Sequence, residues 1–274
     1  MTRDARDPGR IDLHMHTNRS DGKLPPDELL AQILRGKLDL AAVADHDLPN
    51  VLTPGVHTDG KHSVRILAAA ELSGSHAGRE FHLLVYFPGE MPASFRAFLQ
   101  ERARARAVRY DEAVARLGGG LPPADEAAVA GERSLTRNHL YAALKSTGRV
   151  RDAREGYGLL AGSDIVPLIE LTFVDAIRIA REAGGLTSWA HPSLNDAQAY
   201  TATFAAAGLE ALEGVRPKLD RRTRNGLKNL AEKHKLLLTG GSDWHGWNEP
   251  PLGTFAVTGE RARAFVARLD RAVA

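Results

Sequence analysis

The chain has 274 residues, of which 43% are hydrophobic, and a formal net charge of +2. This length fits one large domain, or one domain with an insertion, and the apolar content is sufficient for a substantial core. The near-neutral charge argues against a general nucleic-acid coat protein. Because the sequence has no cysteine, disulfides, iron–sulfur clusters and thiolate-bound zinc are excluded, and any metal must have nitrogen and oxygen ligands.

The compartment is predicted from what the sequence does not contain. No apolar run approaches the ~20 residues that a membrane-spanning helix requires. Residues 1–10 are polar and carry no apolar signal core. We therefore expect a cytoplasmic protein without membrane association, and nothing in the sequence implies a stable protein partner.

The N-terminal third alternates short apolar runs with one helical pattern. A helix is predicted over residues 26–35, where Leu29 and Ile33 lie on one face. Strands are predicted over residues 11–14, 40–44, 64–70 and 82–87. The Ser- and Gly-rich segment 73–78 predicts a turn, so the last two of these strands are expected to pair as a hairpin.

The middle of the chain has a different composition. Residues 92–160 are rich in Ala and Arg and show no strand pattern. Apolar spacing predicts one helix over residues 95–117, ended by three glycines, and a second over 136–147, ended by Gly148. We expect residues 92–160 to form a small helical insertion, so that the main domain comprises residues 1–91 and 161–274.

In the last third of the chain, helical patterns and apolar strand patterns alternate again. A helix is predicted over residues 172–182, with Thr172 as its N-cap, followed by strands over 186–190, 209–215 and 236–239. Most strands are almost continuously apolar, as expected for strands buried on both faces. The alternation predicts an α/β barrel or a doubly wound sheet. The basic segment 216–235 is either a solvated helix face or a rim that attracts an anionic substrate.

Residues that can hold a metal follow the ends of five predicted strands. They are His14, His46, Glu71, His191 and Asp243. Because the active sites of α/β barrels gather at the C-terminal ends of the strands, this placement favours a closed barrel with one site over an open sheet. His82 starts a strand instead, but the predicted hairpin would bring it to the same rim as Glu71.

Two of these clusters have ligand-like spacing. His14 and His16 are two residues apart, as are Asp243 and His245, and in an extended segment such pairs point to the same side. Neutral imidazole and carboxylate are ligands for Zn, Mn and Fe. The sequence therefore predicts a multinuclear metal site.

These segments resemble the polymerase and histidinol phosphatase (PHP) family in content and in order. The resembling motifs are Asp12-Leu-His14-Met-His16-Thr, Ala44-Asp45-His46-Asp47, Glu71, His82, Ala190-His191-Pro192 and Gly241-Ser242-Asp243-Trp244-His245. The resemblance extends from residue 11 to about residue 253. It implies a distorted, TIM-like (β/α)7 barrel and two to three divalent metal ions, Mn, Fe or Zn.

The resemblance also implies a ligand set. One metal would be held by His14, His16, Glu71 and Asp243, the second by Glu71, His82 and His191, and the third by Asp21, His46 and His245. A hydroxide between two metals would attack phosphorus. Asp243, His245 or a water on the third metal would protonate the leaving group.

The substrate is expected to be a nucleotide. The Ser20-Asp21-Gly22 segment and the insertion resemble the stand-alone branch of the family, which acts on 3′,5′-nucleoside bisphosphates and on short RNA from its 5′ end. Arg137 and His139 open the second predicted helix, where backbone N–H groups and an Arg can hold a second phosphate. The alternative is that both residues only cap or solvate that helix.

Two other functions remain open at this stage. One is a phosphatase of histidinol phosphate or of another small metabolite, and the other is a metal-stabilised scaffold without activity. Two departures from the family pattern bear on substrate choice: Ala44 replaces the usual Thr before Asp45, and Trp189 precedes Ala190 where smaller residues are common.

Overall fold

A mixed sheet of eight strands forms the centre of the molecule. The computed structural model describes residues 9–258 and 260–271, so the prediction for residues 1–10 falls mostly outside the described residues. The strands are β1 (Ile11–Asp12), β2 (Leu40–Ala42), β3 (Gly55–Thr58), β4 (Ser63–His76), β5 (Arg79–Phe87), β6 (Leu186–Trp189), β7 (Ala211–Val215) and β8 (Leu237–Gly240).

Helices surround this sheet. In chain order they are α1 (Pro26–Arg35), α2 (Ala93–Arg116), α3 (Glu126–Ala130), α4 (Arg137–Ser146), α5 (Ala153–Leu159), α6 (Phe173–Glu182), α7 (Leu194–Ala207), α8 (Arg221–His234) and α9 (Glu260–Arg271). In the described part of the chain, no helix is both long and apolar enough to cross a membrane.

Seven of the strands follow one another around a nearly closed barrel. Their order is β1-β2-β4-β5-β6-β7-β8, and β3 pairs only with β4. Only β5 among these seven runs against its neighbours. At the seam, the backbone N–H of Leu13 donates to the carbonyl of Gly240 at 3.3 Å, next to β1. The predicted distorted barrel is confirmed.

The β4–β5 hairpin is confirmed, but the predicted turn, residues 73–78, is longer than the one in the structure. Strand β4 continues to His76, and the reversal occurs at Ala77 and Gly78, both with positive φ. Residues 73–76 stay in the ladder although Ser and Gly favour turns. A Cβ at Gly74 would lie 2.8 Å from the Cα of Phe173, so glycine is required there for the close approach of α6.

Successive residues of the strands belong to two different hydrophobic clusters. In β4, Leu67 and Ala69 face the barrel interior, and Ala68 and Ala70 face the helices. This two-sided burial explains why the strands are almost continuously apolar. Helix α9, which the sequence analysis did not predict, contributes Phe265 to the interior cluster, where its ring lies 5.2 Å from that of Tyr86.

Helices α2 to α5 lie between β5 and β6 in the chain. Residues of α2, α3 and α4, with Leu160 directly after α5, form a hydrophobic cluster of their own. Helix α2 belongs to both parts of the molecule, because Phe95 and Leu99 pack against the barrel while Tyr110 and Ala113 pack in the helical cluster. The division into a barrel of residues 1–91 and 161–274 and an insertion of residues 92–160 stays a prediction.

The basic segment 216–235 contains α8. Leu227 and Ala231 are buried on its inner side, whereas Arg221, Arg222 and Lys233 are exposed. This arrangement supports the interpretation as a solvated helix face.

A buried ion pair joins α2 to the loop after β2. Arg106 is 4% exposed and donates to the carboxylate of Asp47, to the hydroxyl of Ser73 and to the carbonyl of Leu135. Asp47 is fully buried, with a φ of +48°. Burial raises the pKa of this carboxyl group, but the charges of Arg106 and Arg102 and the hydrogen bonds from Ser73 and Arg106 together outweigh burial and hold the pKa below its ordinary value.

We expect Arg106→Met to lower the free energy of unfolding by about 3–5 kcal/mol, because it leaves a buried carboxylate without its charge partner. Denaturant unfolding measures this loss. The control is Arg104→Met on the same helix, which removes an exposed ion pair with Glu101 and should cost less than about 1 kcal/mol. Similar losses in the two variants would contradict the structural role of the Arg106–Asp47 pair.

Candidate metal centre

The structure brings all nine predicted metal-site residues to one end of the barrel. They come from the loop after β1, the loop after β2, the middle of β4, the start of β5, the loop after β6 and the loop after β8. The nine residues are His14, His16, Asp21, His46, Glu71, His82, His191, Asp243 and His245. Because β5 runs against its neighbours, its first residues lie at the rim where the other strands end.

Glu71 lies at the centre of this cluster and is fully buried. Its Oε2 atom is 3.3 Å from Nε2 of His14, 3.4 Å from Nε2 of His16 and 3.1 Å from Nδ1 of His46. Its Oε1 atom is 3.2 Å from Nδ1 of His82 and 3.0 Å from Nε2 of His191. Each carboxylate oxygen therefore faces a different set of imidazoles, which is the arrangement that a bridging carboxylate requires.

Asp243 and Asp21 extend the cluster on either side. Oδ1 of Asp243 is 3.4 Å from Nε2 of His14 and 3.3 Å from Nε2 of His16. Oδ1 of Asp21 is 3.2 Å from Nε2 of His245, and its Oδ2 is 3.8 Å from Nε2 of His46. Carboxylate and imidazole atoms thus alternate across the whole group.

Three sets of potential ligand atoms lie close enough together to share an ion. The sets are His14 with His16 and Asp243, His46 with Glu71 and His82, and His16 with Asp21, His46 and His245. The first and third sets contain residues that the family resemblance groups together. In the second set, His46 stands where His191 is expected, although His191 also contacts Glu71.

Several buried polar atoms at the centre make no hydrogen bond with the described residues. They are Nδ1 of His16, Oδ1 of Asp21, Nδ1 of His46 and Oε2 of Glu71. Leaving buried polar atoms unsatisfied costs free energy. Divalent cations would satisfy these atoms, and a set of imidazole nitrogens and carboxylate oxygens suits Mn, Fe or Zn. The residues therefore fit the ions that the sequence predicts.

The charge states of His46 and Glu71 are those expected of metal ligands. Burial lowers the pKa of His46 to about 3, so its imidazole is neutral, the form that binds metals. Burial raises the pKa of Glu71, but the imidazoles that face its two oxygens, among them His46, His14 and His82, together favour the ionised carboxylate and hold the pKa well below its ordinary value. Glu71 is therefore ionised.

A second buried carboxylate, which the sequence analysis did not single out, orients two of the histidines. Glu213 in β7 is fully buried; its Oε1 is 3.0 Å from Nδ1 of His14, and its Oε2 accepts from the backbone N–H of His191 at 2.7 Å. A proton on Nδ1 of His14 leaves Nε2 free to bind a metal. The only signal for this role in the sequence is a glutamate inside a buried apolar strand.

Two further aspartates hold the loops that carry ligands. Asp12 accepts hydrogen bonds from the backbone N–H groups of Ser242, at 2.8 Å, and His14, at 3.3 Å. Asp45 accepts from the backbone and the hydroxyl of Thr17 and from the hydroxyl of Ser20. These contacts fix the segments that present His16, Asp21 and Asp243.

A cavity of about 240 Å³ opens directly over the cluster. Its lining residues are Asp21, His46, Glu80, His82, Arg106, Thr136, Arg137, Asn138, His191, Asp243 and His245. On one wall, Glu80 accepts from Arg137 at 2.7 Å and from Arg109 at 2.6 Å, and it lies 3.8 Å from Arg106. Glu80, Arg106 and Arg109 were missed because neither their types nor their spacing distinguishes them from solvated charges.

The two predicted phosphate-binding residues are placed differently. Arg137 lines the cavity, whereas His139 does not belong to its lining. Nδ1 of His139 accepts from the backbone N–H of Thr136 at 3.0 Å, as part of the capping box of α4. Burial lowers the pKa of His139 to about 4, so its imidazole is neutral. One nitrogen of His139 is thus already used by the helix cap.

Comparison with known proteins gives relatives of one chemical class. The chain is 26% identical over 249 residues to the 5′-3′ exoribonuclease Rnm of Escherichia coli, covering 85% of this chain and 84% of that protein. It is 27% identical over 246 residues to a phosphoribosyl 1,2-cyclic phosphate 1,2-diphosphodiesterase of Eggerthella lenta, covering 86% and 94%. It is 26% identical over 254 residues to a 3′,5′-nucleoside bisphosphate phosphatase of Chromobacterium violaceum, covering 86% and 87%.

Solved structures share the fold. A predicted metal-dependent phosphoesterase from Bifidobacterium adolescentis superposes with a TM-score of 0.73 and 24% identity, over 94% of this chain and 96% of that one. An amidohydrolase from Chromobacterium violaceum, solved with sulfate and no metal, superposes with a TM-score of 0.74 and 20% identity, over 96% of both chains. No family model matches the chain. The relatives and the fold confirm the resemblance that the motifs predicted: the chain is a homologue of phosphoesterases.

Proposed function

We propose that the chain is a metal-dependent phosphoesterase that hydrolyses a phosphate ester of a nucleotide. The substrate is a 3′,5′-nucleoside bisphosphate or a short 5′-phosphorylated oligonucleotide. The observation that carries the proposal is the convergence of eight potential metal ligands around a ninth, the buried Glu71, directly below a cavity whose lining includes Arg106 and Arg137.

In this proposal the nine residues hold two to three divalent ions, Mn, Fe or Zn. His14, His16 and Asp243 would hold one ion beside Glu71, His82 and His191 would hold another at the other oxygen of Glu71, and Asp21, His46 and His245 would hold the third. When bound, such ions supply a water nucleophile at neutral pH and neutralise charge on the phosphoryl group.

The chain's own residues orient the substrate and supply the proton. Asp243 and His245 both line the cavity, so both can reach the oxygen that leaves phosphorus. Nδ1 of His245 lies 2.8 Å from the carbonyl of Asp243, which places the proton on that nitrogen and turns Nε2 towards Asp21. Burial raises the pKa of the Asp243 carboxyl group, but the imidazoles around it, His14 first among them, outweigh burial and hold the pKa well below its ordinary value, so this group is ionised. We therefore assign the proton for the leaving oxygen to His245 or to a water beside it.

A second phosphate has a binding group in Arg137. The wall that contains it holds three guanidinium groups, of Arg106, Arg109 and Arg137, against two carboxylates, of Asp47 and Glu80. Arg106 is occupied by Asp47, Ser73 and Leu135, and Arg109 by Glu80 and the carbonyl of Pro167. Arg137 is 30% exposed and is the member of this wall that can turn a donor towards a ligand.

A second candidate substrate is a cyclic phosphate diester of a phosphorylated ribose. It is favoured by the relative of Eggerthella lenta, which aligns over 94% of its length. The same metal cluster and the same wall with Arg137 suit both substrates, because each has a scissile phosphate and a second phosphate on a ribose.

A substrate panel tests the proposed function. The metal-supplied protein is assayed with a 3′,5′-nucleoside bisphosphate, a short 5′-phosphorylated RNA, a phosphoribosyl 1,2-cyclic phosphate, histidinol phosphate and an aryl phosphate. We expect the highest kcat/KM on one of the first two. If the protein prefers histidinol phosphate, it is a small-metabolite phosphatase and the proposal is wrong. If it hydrolyses none of these substrates with Mn, Fe or Zn, a metal-stabilised scaffold is favoured instead.

Glu71→Gln should abolish activity and remove at least one metal ion per chain, because an amide cannot bridge two cations as a carboxylate does. Elemental analysis and circular dichroism measure metal content and folding. The control is Glu210→Gln, which changes a glutamate beside β7 that contacts Arg268 and Thr187 rather than the cluster. The metal assignment is wrong if Glu71→Gln keeps the wild-type metal content.

Arg137→Ala should reduce kcat/KM on a bisphosphate by roughly ten- to a hundredfold, equivalent to the loss of about 1.5–3 kcal/mol from a charged hydrogen bond. An aryl phosphate, which has no second phosphate, should be affected little. Lys145→Ala, at the other end of α4, is the control for the loss of one positive charge. Equal losses on both substrates would show that Arg137 serves the cleaved phosphate or the fold instead.

A further inference from the structure

Trp247 is a large aromatic side chain that is exposed beside the metal centre. Its side chain is 58% exposed, whereas the other two tryptophans of the chain, Trp189 and Trp244, are 1% and 6% exposed. Trp247 follows His245, a member of the cluster, by two positions. A single exposed apolar residue needs no explanation by itself, so what matters is how this one is held.

The indole is fixed to the metal centre by a hydrogen bond. Nε1 of Trp247 donates to the backbone carbonyl of Asp21 at 2.8 Å. Between His245 and Trp247, Gly246 adopts a φ of +82°, and a Cβ there would lie 2.6 Å from the ring of Trp244. The tight turn at Gly246 and the bond to Asp21 therefore anchor one edge of an indole that is still more than half exposed.

The opposite side of Asp21 is held by polar groups. Its Oδ2 accepts from the side-chain amide of Asn138 at 2.7 Å and from the hydroxyl of Thr136 at 3.0 Å, and both residues line the cavity. Asp21 thus lies between the cavity wall on one side and Trp247 on the other. Trp247 is therefore joined, through the backbone of Asp21, to a residue that lines the cavity.

The size of the cavity requires part of a nucleotide to lie outside it. Pockets that enclose a drug-sized ligand have volumes of about 300–1,000 Å³, and this cavity has about 240 Å³. The ligands at its floor and Arg137 on its wall select the phosphate end of the substrate. The nucleobase must then lie at the rim or beyond it.

We infer that Trp247 is the platform on which the nucleobase of the substrate stacks while its phosphate lies in the cavity. This inference rests on the proposed function. Every base has a flat π-face, and stacking on an aromatic side chain contributes about 1–3 kcal/mol per base without a strict sequence preference. An indole with an anchored edge loses little conformational freedom on stacking.

A larger cleft on the other side of Asp243 is the competing place for the base. It has a volume of about 440 Å³, and its aromatic residues are Trp244 and Phe255. Trp244 is buried and bonded through Nε1 to the carbonyl of Pro250, and Phe255 is partly buried against the interior cluster. These rings present less free face than Trp247 does.

Binding measurements test the inference without any need for turnover. Adenosine 5′-phosphate and ribose 5-phosphate are titrated into the zinc-loaded full-length protein, and tryptophan fluorescence is excited where adenine does not absorb. Because Trp247 is the exposed tryptophan, adenosine 5′-phosphate should quench this fluorescence and ribose 5-phosphate should not. Trp247→Phe removes the quenching because the reporting indole is gone.

Calorimetry then measures the affinities of the variants. Trp247→Leu should weaken adenosine 5′-phosphate binding by about ten- to a hundredfold and change ribose 5-phosphate binding by less than about threefold. Trp247→Phe, which keeps a ring, should retain most of the affinity for adenosine 5′-phosphate. Circular dichroism checks that all variants are folded.

Two outcomes would overturn the inference. Equal losses for both ligands in Trp247→Leu would mean that the residue only supports Asp21 and the metal centre. If instead the control Phe255→Leu loses the preference for adenosine 5′-phosphate while Trp247→Leu keeps it, the base lies in the larger cleft. Failure of the proposed function would appear separately, as the absence of nucleotide hydrolysis in the substrate panel.

Discussion

The burial of one carboxylate, that of Glu71, is the constraint on which the rest of the structure depends. An ionised carboxylate inside a barrel is costly unless it is surrounded by groups of opposite or complementary character. Five imidazoles within 3.0–3.4 Å provide these groups, and they come from segments far apart in the chain. The strands must therefore end at one rim, and β5 must run against its neighbours so that its first residues reach that rim. The barrel topology and the composition of the cluster are consequences of the same requirement.

A ring of further buried carboxylates fixes the imidazoles in place. Glu213 orients His14 and the backbone of His191, Asp12 joins the loops after β1 and β8, and Asp45 holds Thr17 and Ser20. His191 and Asp243 adopt positive φ values of 34° and 55°, which residues with a Cβ rarely do. Such backbone strain persists only where the surroundings determine the conformation, as these hydrogen bonds do. These hydrogen bonds therefore help to fix the positions of the ligand atoms.

The sequence predicts the parts of this arrangement that depend on local patterns. Apolar runs locate the barrel strands, because burial on both faces leaves few polar residues in them. Eight of the nine cluster residues follow from their types, their spacing and their positions at the ends or the start of strands, whereas Asp21 was implied only by the family resemblance. Strand β3 was missed because its four residues are largely exposed and carry no alternation, and α9 was missed although it closes the barrel interior. Glu213, Glu80 and Arg106 could not be recognised, because each depends on a partner 29 to 199 residues away in the chain.

Because the cavity is small, the residues that act on the phosphate differ from the residues that select the rest of the substrate. The floor of the cavity can contact only a phosphate and the atoms next to it, so the same ligand set serves any phosphoester that reaches it. Relatives at 26–27% identity are accordingly an exoribonuclease, a cyclic phosphate diesterase and a bisphosphate phosphatase. Overall similarity to such proteins cannot distinguish among these substrates. The distinction must come from side chains that contact what lies outside the cavity. In this chain those side chains are on the wall that contains Arg137 and beside Asp21, where Trp247 presents an anchored aromatic face.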